Sequence, residues 1–340
     1  MAYTTIDDPS EYFHTQLYTG SGSSGLEVRN NANSGNFTPD WLWVKPRSAS
    51  DNHVLFDSTR GFDKQLKANG SDAEDTHSPA KFTRETNGFD IDSTDGNYNG
   101  NSVTYVAWQW KCNNATTSTN NDGSVAVTLQ TNSTAGFSIG TFTGTGNSSG
   151  TIGHGLGATP DWLIVKRRDG SENWNNIFAN VDSKLLRLNT DGASFTGSAI
   201  NSVGASTFTD GNGNNAVFYA FKSIQGYSKF GSYTGNGNAD GPFVYTGFKP
   251  AWLLVKNTTD SGDDWHMYDN TRDTFNVADA RLKANTNDAE ATDAAFDFLS
   301  NGFKVRSTSN ARNGNGDAII FMCFASSPFV SSEGVPTTAR

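Results

Sequence analysis

The sequence is poor in the residue types that would declare a chemistry. Its 340 residues hold two cysteines, three methionines, five histidines and nine prolines. Two thiols, Cys112 and Cys323, supply neither a disulfide framework nor a zinc site, and free, reduced thiols are expected. No apolar run reaches the roughly 18 residues that a helical bilayer crossing needs, so membrane insertion by a helix is excluded. The opening Met-Ala-Tyr-Thr-Thr-Ile-Asp-Asp has neither a basic start nor an apolar core, and is not read as a secretory signal. Basic residues are in deficit, 25 against 35 acidic ones, for a net charge of −10. That balance speaks against nucleic acid and anionic lipid as partners, since both call for clustered Lys and Arg. Long helical periodicity is missing as well. The best helical stretch, 277–295, is interrupted by Asn285 and Asn287 and allows at most a short helix. What is abundant is Asn (36) and Gly (35), the material of turns, together with 23 Phe, 10 Tyr and 8 Trp, which rule out a disordered chain.

One pattern occurs three times. Pro39-Asp40-Trp41-Leu42-Trp43-Val44-Lys45 returns as Pro160-Asp161-Trp162-Leu163-Ile164-Val165-Lys166 and as Pro250-Ala251-Trp252-Leu253-Leu254-Val255-Lys256. Upstream lie Tyr18-Thr19-Gly20, Phe142-Thr143-Gly144 and Tyr233-Thr234-Gly235; downstream lie Leu66-Lys67-Ala68-Asn69, Leu186-Arg187-Leu188-Asn189 and Leu282-Lys283-Ala284-Asn285. The first and third copies also share Asp72-Ala73-Glu74 with Asp288-Ala289-Glu290, which makes them closer to each other than either is to the second. A repeat of this kind governs the fold and is sought before anything else.

The anchors lie 121 and then 90 residues apart, which places an insertion of about 30 residues between the first two copies. The division that results is a first repeat at 1–112, an Asn/Thr/Ser-rich linker or insertion at 113–135, a second repeat at 136–224, a third at 225–326 and a tail at 327–340. The insertion contains one alternating run, Val125-Ala126-Val127-Thr128-Leu129, that reads as an extra strand. In each anchor both faces of the strand are apolar, as in a central strand covered on both sides. With Asn/Gly-rich loops between short strands, the expected fold is all-β: three tandem β-sandwiches, jelly-roll or lectin-like.

The block Ala158-Thr159-Pro160-Asp161-Trp162-Leu163-Ile164-Val165-Lys166-Arg167-Arg168-Asp169-Gly170, followed by Trp174, resembles a domain that recurs in tailed marine bacteriophages. The opening Ala2-Tyr3-Thr4-Thr5-Ile6-Asp7-Asp8-Pro9-Ser10 is similar to the start of proteins from such phages. The resemblance covers nearly the whole chain except the insertion and the tail. It implies a lectin-like β-sandwich protein of the virion, made in the host cytoplasm, serving as fibre, tail-associated adhesin or capsid decoration. It attaches no catalytic motif and no ligand residues.

The tempting motifs have plainer readings. Gly146-Asn147-Ser148-Ser149-Gly150 has the form of a hydrolase elbow, yet it aligns with turns in the other copies and is read as a loop. The loops at 95–101, 210–215 and 313–317 each offer one carboxylate ahead of a closing strand, so they read as turns rather than calcium sites. No two histidines have metal-ligand spacing, and no metal or cofactor is expected. Paired acids for glycoside hydrolysis cannot be picked out, since adjacent residues such as Asp263-Asp264 point to opposite faces of a strand.

The recurring Trp41, Trp162 and Trp252 are expected in the core. Trp174, Trp265, Tyr98 and Trp110 are the candidate platforms on which a sugar ring could stack, although Trp174 and Trp265 hold similar places after their anchors and core packing is the favoured reading. The leading expectation is a non-enzymatic structural protein that binds other virion proteins (capsid, portal or tail subunits) and host-surface glycan, as a homo-oligomer, with a trimer favoured. A polysaccharide-degrading tail enzyme is the alternative, and a secreted lectin the third reading.

Overall fold

The computed structural model describes residues 2–31, 37–146, 149–179, 181–210 and 213–337. Among them the regular secondary structure is nearly all strand, with two one-turn α-helices, Gly96–Asn99 and Asn310–Asn313, and a 3-10 turn at Pro9–Glu11. Each repeat builds its main sheet in the same order. An opening strand (Phe13–Thr19, Phe137–Thr143 or Ser228–Thr234) pairs with the closing strand (Thr104–Trp110, Asn215–Phe221 or Ala318–Pro328). The closing strand pairs in turn with the anchor strand (Trp41–Pro46, Trp162–Arg167 or Phe248–Asn257). A second layer follows: Leu26–Arg29, Gly88–Ile91 and Phe82–Glu85 in the first repeat, and Thr151–Gly153, Thr207–Asp210 and Ile200–Asn201 in the second. In the third repeat the equivalent strands Phe243–Tyr245 and Gly302–Val305 stay joined to the main sheet, which runs to eight strands.

The anchor strands show why both of their faces are apolar. Leu42 and Val44 point into a core that belongs to the first repeat alone, with Phe56, Phe89 and Tyr105. Leu163 and Val165 do the same in the second repeat, Leu253 and Val255 in the third. The opposite face carries Trp41 with Trp43, Trp162 with Ile164, and Trp252 with Leu254, all into one cluster that the three repeats share. The equivalent closing residues Trp110, Phe221 and Phe324 meet in it, Trp110 to Phe324 at 5.7 Å and Phe221 to Phe324 at 6.0 Å between ring centroids. The repeats are therefore not beads on a string: half of each anchor strand is buried by its neighbours.

A cyclic set of hydrogen bonds closes this arrangement. Twelve or thirteen residues after the anchor tryptophan stand His53, Trp174 and Trp265. His53 Nε2 bonds the carbonyl of Lys283 (2.9 Å), Trp174 Nε1 that of Lys67 (2.8 Å) and Trp265 Nε1 that of Arg187 (3.1 Å). The lysine that ends each anchor repeats the scheme: Lys45 Nζ donates to Asn287 O, Lys166 to Ser71 O and Lys256 to Asp191 O. First repeat reaches third, second reaches first, third reaches second, and the ring is complete.

Two expectations are corrected. The stretch 277–295 forms no helix; Ala278–Lys283 and Ala291–Leu299 are paired strands, since apolar residues alternate there against Phe296 and Phe298. The stretch 113–135 is more than a linker with one strand. Ser118–Asn120 and Val127–Asn132 both join the main sheet of the second repeat, and Val125, Val127 and Leu129 are buried in its core. The tail also folds back: Ser332 donates its backbone N–H (2.7 Å) and its hydroxyl to the carboxylate of Asp7, bringing the two ends of the described chain together on the third repeat.

Candidate functional site

The four aromatic residues expected as sugar platforms are all core. Trp174, Trp265, Tyr98 and Trp110 are buried to within 1% of their surface, so neither ring face is open to a ligand. Trp174 and Trp265 are spent on the inter-repeat ring described above. Trp110 packs on Trp41 at 4.4 Å and edge-on to Trp252 at 5.7 Å. Tyr98 sits edge-on to Phe82 at 4.8 Å in the first repeat's own core. Trp174 and Trp265 hold the same place after their anchors, and His53 is the third member of that position.

Surface aromatics do exist, in the third repeat. Phe243 (46% exposed), Tyr245 (55%) and Phe275 (85%), with Val277 and the tail's Val335, are the exposed large apolar residues among the described ones. Phe243 and Tyr245 alternate with the buried Val244 on one strand, facing Lys304 and Gly302 of the next. The first repeat has the same strand pair in the same register, where Glu27 stands for Phe243, Arg29 for Tyr245 and Asp90 for Lys304. There the outer face is ionic, with Arg29 bonded to Asp90. The backbone frame therefore does not need aromatic rings at these positions.

Phe275 stands on an insertion of the third repeat. From Arg272 to Leu282 is ten residues, where Arg60 to Leu66 is six. The extra loop is held firmly. Asn276 Nδ2 donates to Phe298 O (3.0 Å) and Asn276 Oδ1 accepts from Phe298 N–H (2.8 Å), as a neighbouring strand would. Asp273 accepts the N–H groups of Asp279 and Ala280. Counting strands from Phe243–Tyr245 through Gly302–Val305 and Ala291–Leu299 to this loop gives a span of about 14 Å. Gly302 leaves the floor between Tyr245 and Leu299 free of a side chain. Lys304, Arg306, Asp240 and Asp297, paired with one another, supply hydrogen-bonding groups beside the rings.

A groove adjoins this face. Tyr3 of the N-terminal segment donates its hydroxyl to Gly247 O (2.8 Å) and touches the hydroxyl of Tyr245 (3.1 Å). Burial and then the Tyr245 contact push the Tyr3 hydroxyl up to about 12, so it is a neutral phenol at ordinary pH.

The carboxyls that burial pushes above the usual range are Asp263 and Asp273. Asp263 accepts from the Asn257 amide and Asp273 holds the turn just described, so each serves the local fold. The loops weighed as cation sites are turns of another sort. In two of them a one-turn helix presents Asn99 or Asn313, whose amide ties down the loop after the opening strand. The third, 210–215, includes Gly211 and Asn212, which lie outside the described residues, as do Asn147 and Ser148 of the elbow-like block. Among the described residues no group of three His, Cys, Asp or Glu side chains is placed to hold a metal. Cys112 and Cys323 are free and buried, and burial raises both thiols.

With all three repeats taken together, the chain belongs to DUF7483, a domain of unknown function, whose match runs over residues 8–328. Comparison with curated proteins and with solved structures finds no match. The family match runs from the 3-10 turn to the last closing strand, across the first repeat, the insertion and both later repeats, in agreement with the shared core.

Proposed function

We propose that this chain is a non-enzymatic structural and attachment protein of the bacteriophage virion surface, and that it binds host-surface glycan through the outer face of its third repeat. The virion setting rests on the sequence resemblance. The glycan reading is carried by one observation, the exchange of Glu27 and Arg29 in the first repeat for Phe243 and Tyr245 in the third at matched backbone positions. Exposed aromatic rings that the fold does not require, spaced along a strand pair and flanked by charged hydrogen-bonding groups, are suited to the apolar faces of a sugar chain. Each repeat is read as a lectin-like, jelly-roll-related sandwich whose loops and edges serve binding while the common core keeps the repeats rigid. A homo-oligomer, with a trimer favoured, is the proposed assembly on the particle.

Two measurements test this. Immunogold labelling of phage particles with antibody to the chain should decorate head, tail or fibres, and particles that bind no label would remove the virion reading. A glycan array should give hits that Phe275→Ala and Tyr245→Ala abolish with thermal melting unchanged. Hits that survive both substitutions would move the site elsewhere.

A further inference from the structure

The second repeat contains a strand that the third one lacks. Its opening strand Phe137–Thr143 and its small-sheet strand Thr151–Gly153 are two edges with a seam between them. The inserted segment fills that seam. Val127–Asn132 pairs antiparallel with the opening strand, while Val125 donates its N–H to Thr151 O (3.0 Å) and bridges Ile152 in parallel. Val125, Val127 and Leu129 point into the core. Gly155 turns away beneath them at φ +71°, and a Cβ there would lie 2.5 Å from Leu129 Cδ2 and 2.7 Å from Thr131 Oγ1.

The third repeat has the same two edges. Ser228–Thr234 is equivalent to the opening strand, Phe243–Tyr245 to Thr151–Gly153, and Gly247, at φ +86°, to Gly155. Among the described residues no strand lies between them. Pro242 O and Thr246 N–H bond to the inner neighbour, so the alternation of a ladder turns the backbone groups of Phe243 and Tyr245 towards the seam. At one end the seam is closed by Ile224, which pairs both ways with Ser228, and by Ser223 Oγ, which accepts the Phe230 N–H. Further along, Ser232 and Thr234 are exposed. Where Leu129 and Thr131 pass Gly155 in the second repeat, the hydroxyl of Tyr3 stands 2.8 Å from the place of a Gly247 Cβ, with the Tyr245 hydroxyl at 3.6 Å, and Phe329 donates its N–H to Gly247 O. A cavity of about 310 Å³ remains beside it, lined by Ser228, Lys229, Tyr245 and Thr246.

The first repeat covers its own seam differently. Eleven residues separate Arg29 from Trp41, against six between Tyr245 and Trp252. This longer connection lays Asn31 N–H on Gln16 Oε1 and buries Phe37 beside His14.

We infer that the open seam of the third repeat takes an extended strand from a partner protein, in the manner of β-strand addition. The strand runs antiparallel to Ser228–Thr234 and parallel to Phe243–Tyr245, and it carries small apolar residues at alternate positions, as Val125, Val127 and Leu129 do. Tyr3 is a placeholder that such a strand displaces. The inference stands on the match between repeats and does not depend on the virion or glycan reading. An unpaired edge flanked by exposed aromatic residues is otherwise an aggregation hazard, and a partner strand removes it.

The probe is a synthetic peptide, Gly-Ser-Val-Ala-Val-Thr-Leu-Gln, copying residues 123–130, titrated into the full chain by fluorescence anisotropy. The wild-type chain should bind it, Tyr3→Ala should bind several-fold tighter, and Ser232→Pro at least about tenfold weaker. Proline at Ser232 removes an edge N–H that is not needed inside the sheet, so folding should be retained. Hydrogen exchange on the wild-type complex gives an arm independent of that variant: protection should appear at Phe243, Tyr245 and 231–234. Failure of both wild type and Tyr3→Ala to bind, equal binding by a folded Ser232→Pro, or protection confined to other regions would each overturn the inference.

Discussion

Two of the three contacts between repeats are ionic inside and the third is not, although the backbone meets in the same way at all of them. Where the first repeat receives the second, Arg60 lies wholly buried between Asp57 and Glu74, Tyr219 donates its hydroxyl to Asp57 (2.7 Å) and Arg168 grips Glu74 with two bonds. Where the third receives the first, Arg272, Asp269 and Glu290 repeat the network, met by Trp108 Nε1 (3.0 Å) and Arg47. Where the second receives the third, the same places hold Val181, Phe178 and Ser194, met by Met322 and Thr258, and Phe178 and Met322 lie in the shared core. Five positions change together. The bonds common to all three contacts come from the ring nitrogens, the anchor lysines and a backbone link: Glu74, Ser194 or Glu290 N–H to the carbonyl of Arg168, Thr258 or Arg47. Geometry is thus set by backbone carbonyls, and the interior can be a complete ionic network or an uncharged set with Val181, Phe178 and Met322 at its centre. That is the behaviour expected of a buried ion network, which is costly when half satisfied and replaceable as a whole. It also explains why the first and third copies share Asp-Ala-Glu and the second does not.

The layer beneath the comparison is the shared aromatic core, and the largest single loss should come from there. Trp162→Ala deletes a ring that stacks on Phe178 at 5.0 Å and touches Phe221 and Phe230. A cost of about 3–5 kcal/mol in urea unfolding is expected, whichever contact is nearest. A melting point that does not move would mean that the ring is not core.

The next effect separates the two kinds of contact. Arg60→Ala leaves Asp57 buried without its cation and Glu74 with one arginine of two, and should cost roughly 3–5 kcal/mol. The fivefold exchange Asp57→Phe, Arg60→Val, Glu74→Ser, Arg168→Thr and Tyr219→Met copies the apolar contact. It should restore stability to within about 1–2 kcal/mol of wild type. If the fivefold variant is no better than Arg60→Ala, the contacts are not interchangeable and the comparison fails.

Much of this was legible in the residues. The threefold repeat, the all-β character, the buried anchor tryptophans and the strand at Val125–Leu129 follow from spacing and alternation. The shared core was not, because a strand apolar on both faces looks the same whether its second cover is its own sheet or a neighbouring repeat. Trp174 and Trp265 share a position that sequence alone reads as core rather than platform, but their bond to the next repeat is hidden because the third member of that position is His53, a residue of another type that performs the same bond. The exposed face carried a readable signal, Glu27 and Arg29 against Phe243 and Tyr245, but only once strand register made those pairs equivalent. Which seam is filled depends on where the insertion lands, and alternation within a segment says nothing about which edge it joins.

His53 offers a finer distinction between the contacts. Its Nδ1 accepts from Trp43 Nε1 (2.8 Å), so Nε2 carries the proton given to Lys283 O, and a second proton would break the Trp43 bond. Burial, reinforced by nearby Lys45 and Arg272, holds its pKa well below the ordinary histidine value. A lowered histidine binds fewer protons when folded, so its contribution is intact above about pH 6.5 and is lost as pH falls below that. The other two contacts use tryptophan and have no such term. The double exchange Trp43→Leu with His53→Trp copies Leu254 and Trp265. It should lessen the acid slope of stability by up to about 1.4 kcal/mol per pH unit. His14, His77, His154 and His266, also shifted downward, should keep the remainder. An unchanged slope would place acid sensitivity in those four.

The smallest effect should be the same at all three contacts. Lys45, Lys166 and Lys256 are each pushed down to about 8 by burial. Between pH 8 and roughly 10 the unfolded chain holds a proton on each that the folded chain has released, so stability rises with pH across that window. A rise on the order of 1 kcal/mol per lysine is expected after screening, ending near pH 10, where buried tyrosines such as Tyr219 and Tyr227 begin to oppose it. Lys45→Met, Lys166→Met and Lys256→Met should each remove about a third of the rise in urea melts at pH 8, 9 and 10. Equal losses would show that the lysine ring is indifferent to what lies inside the contact. A larger loss at Lys256 would instead tie it to the apolar interior beside it, where no arginine network shares the burden of charge.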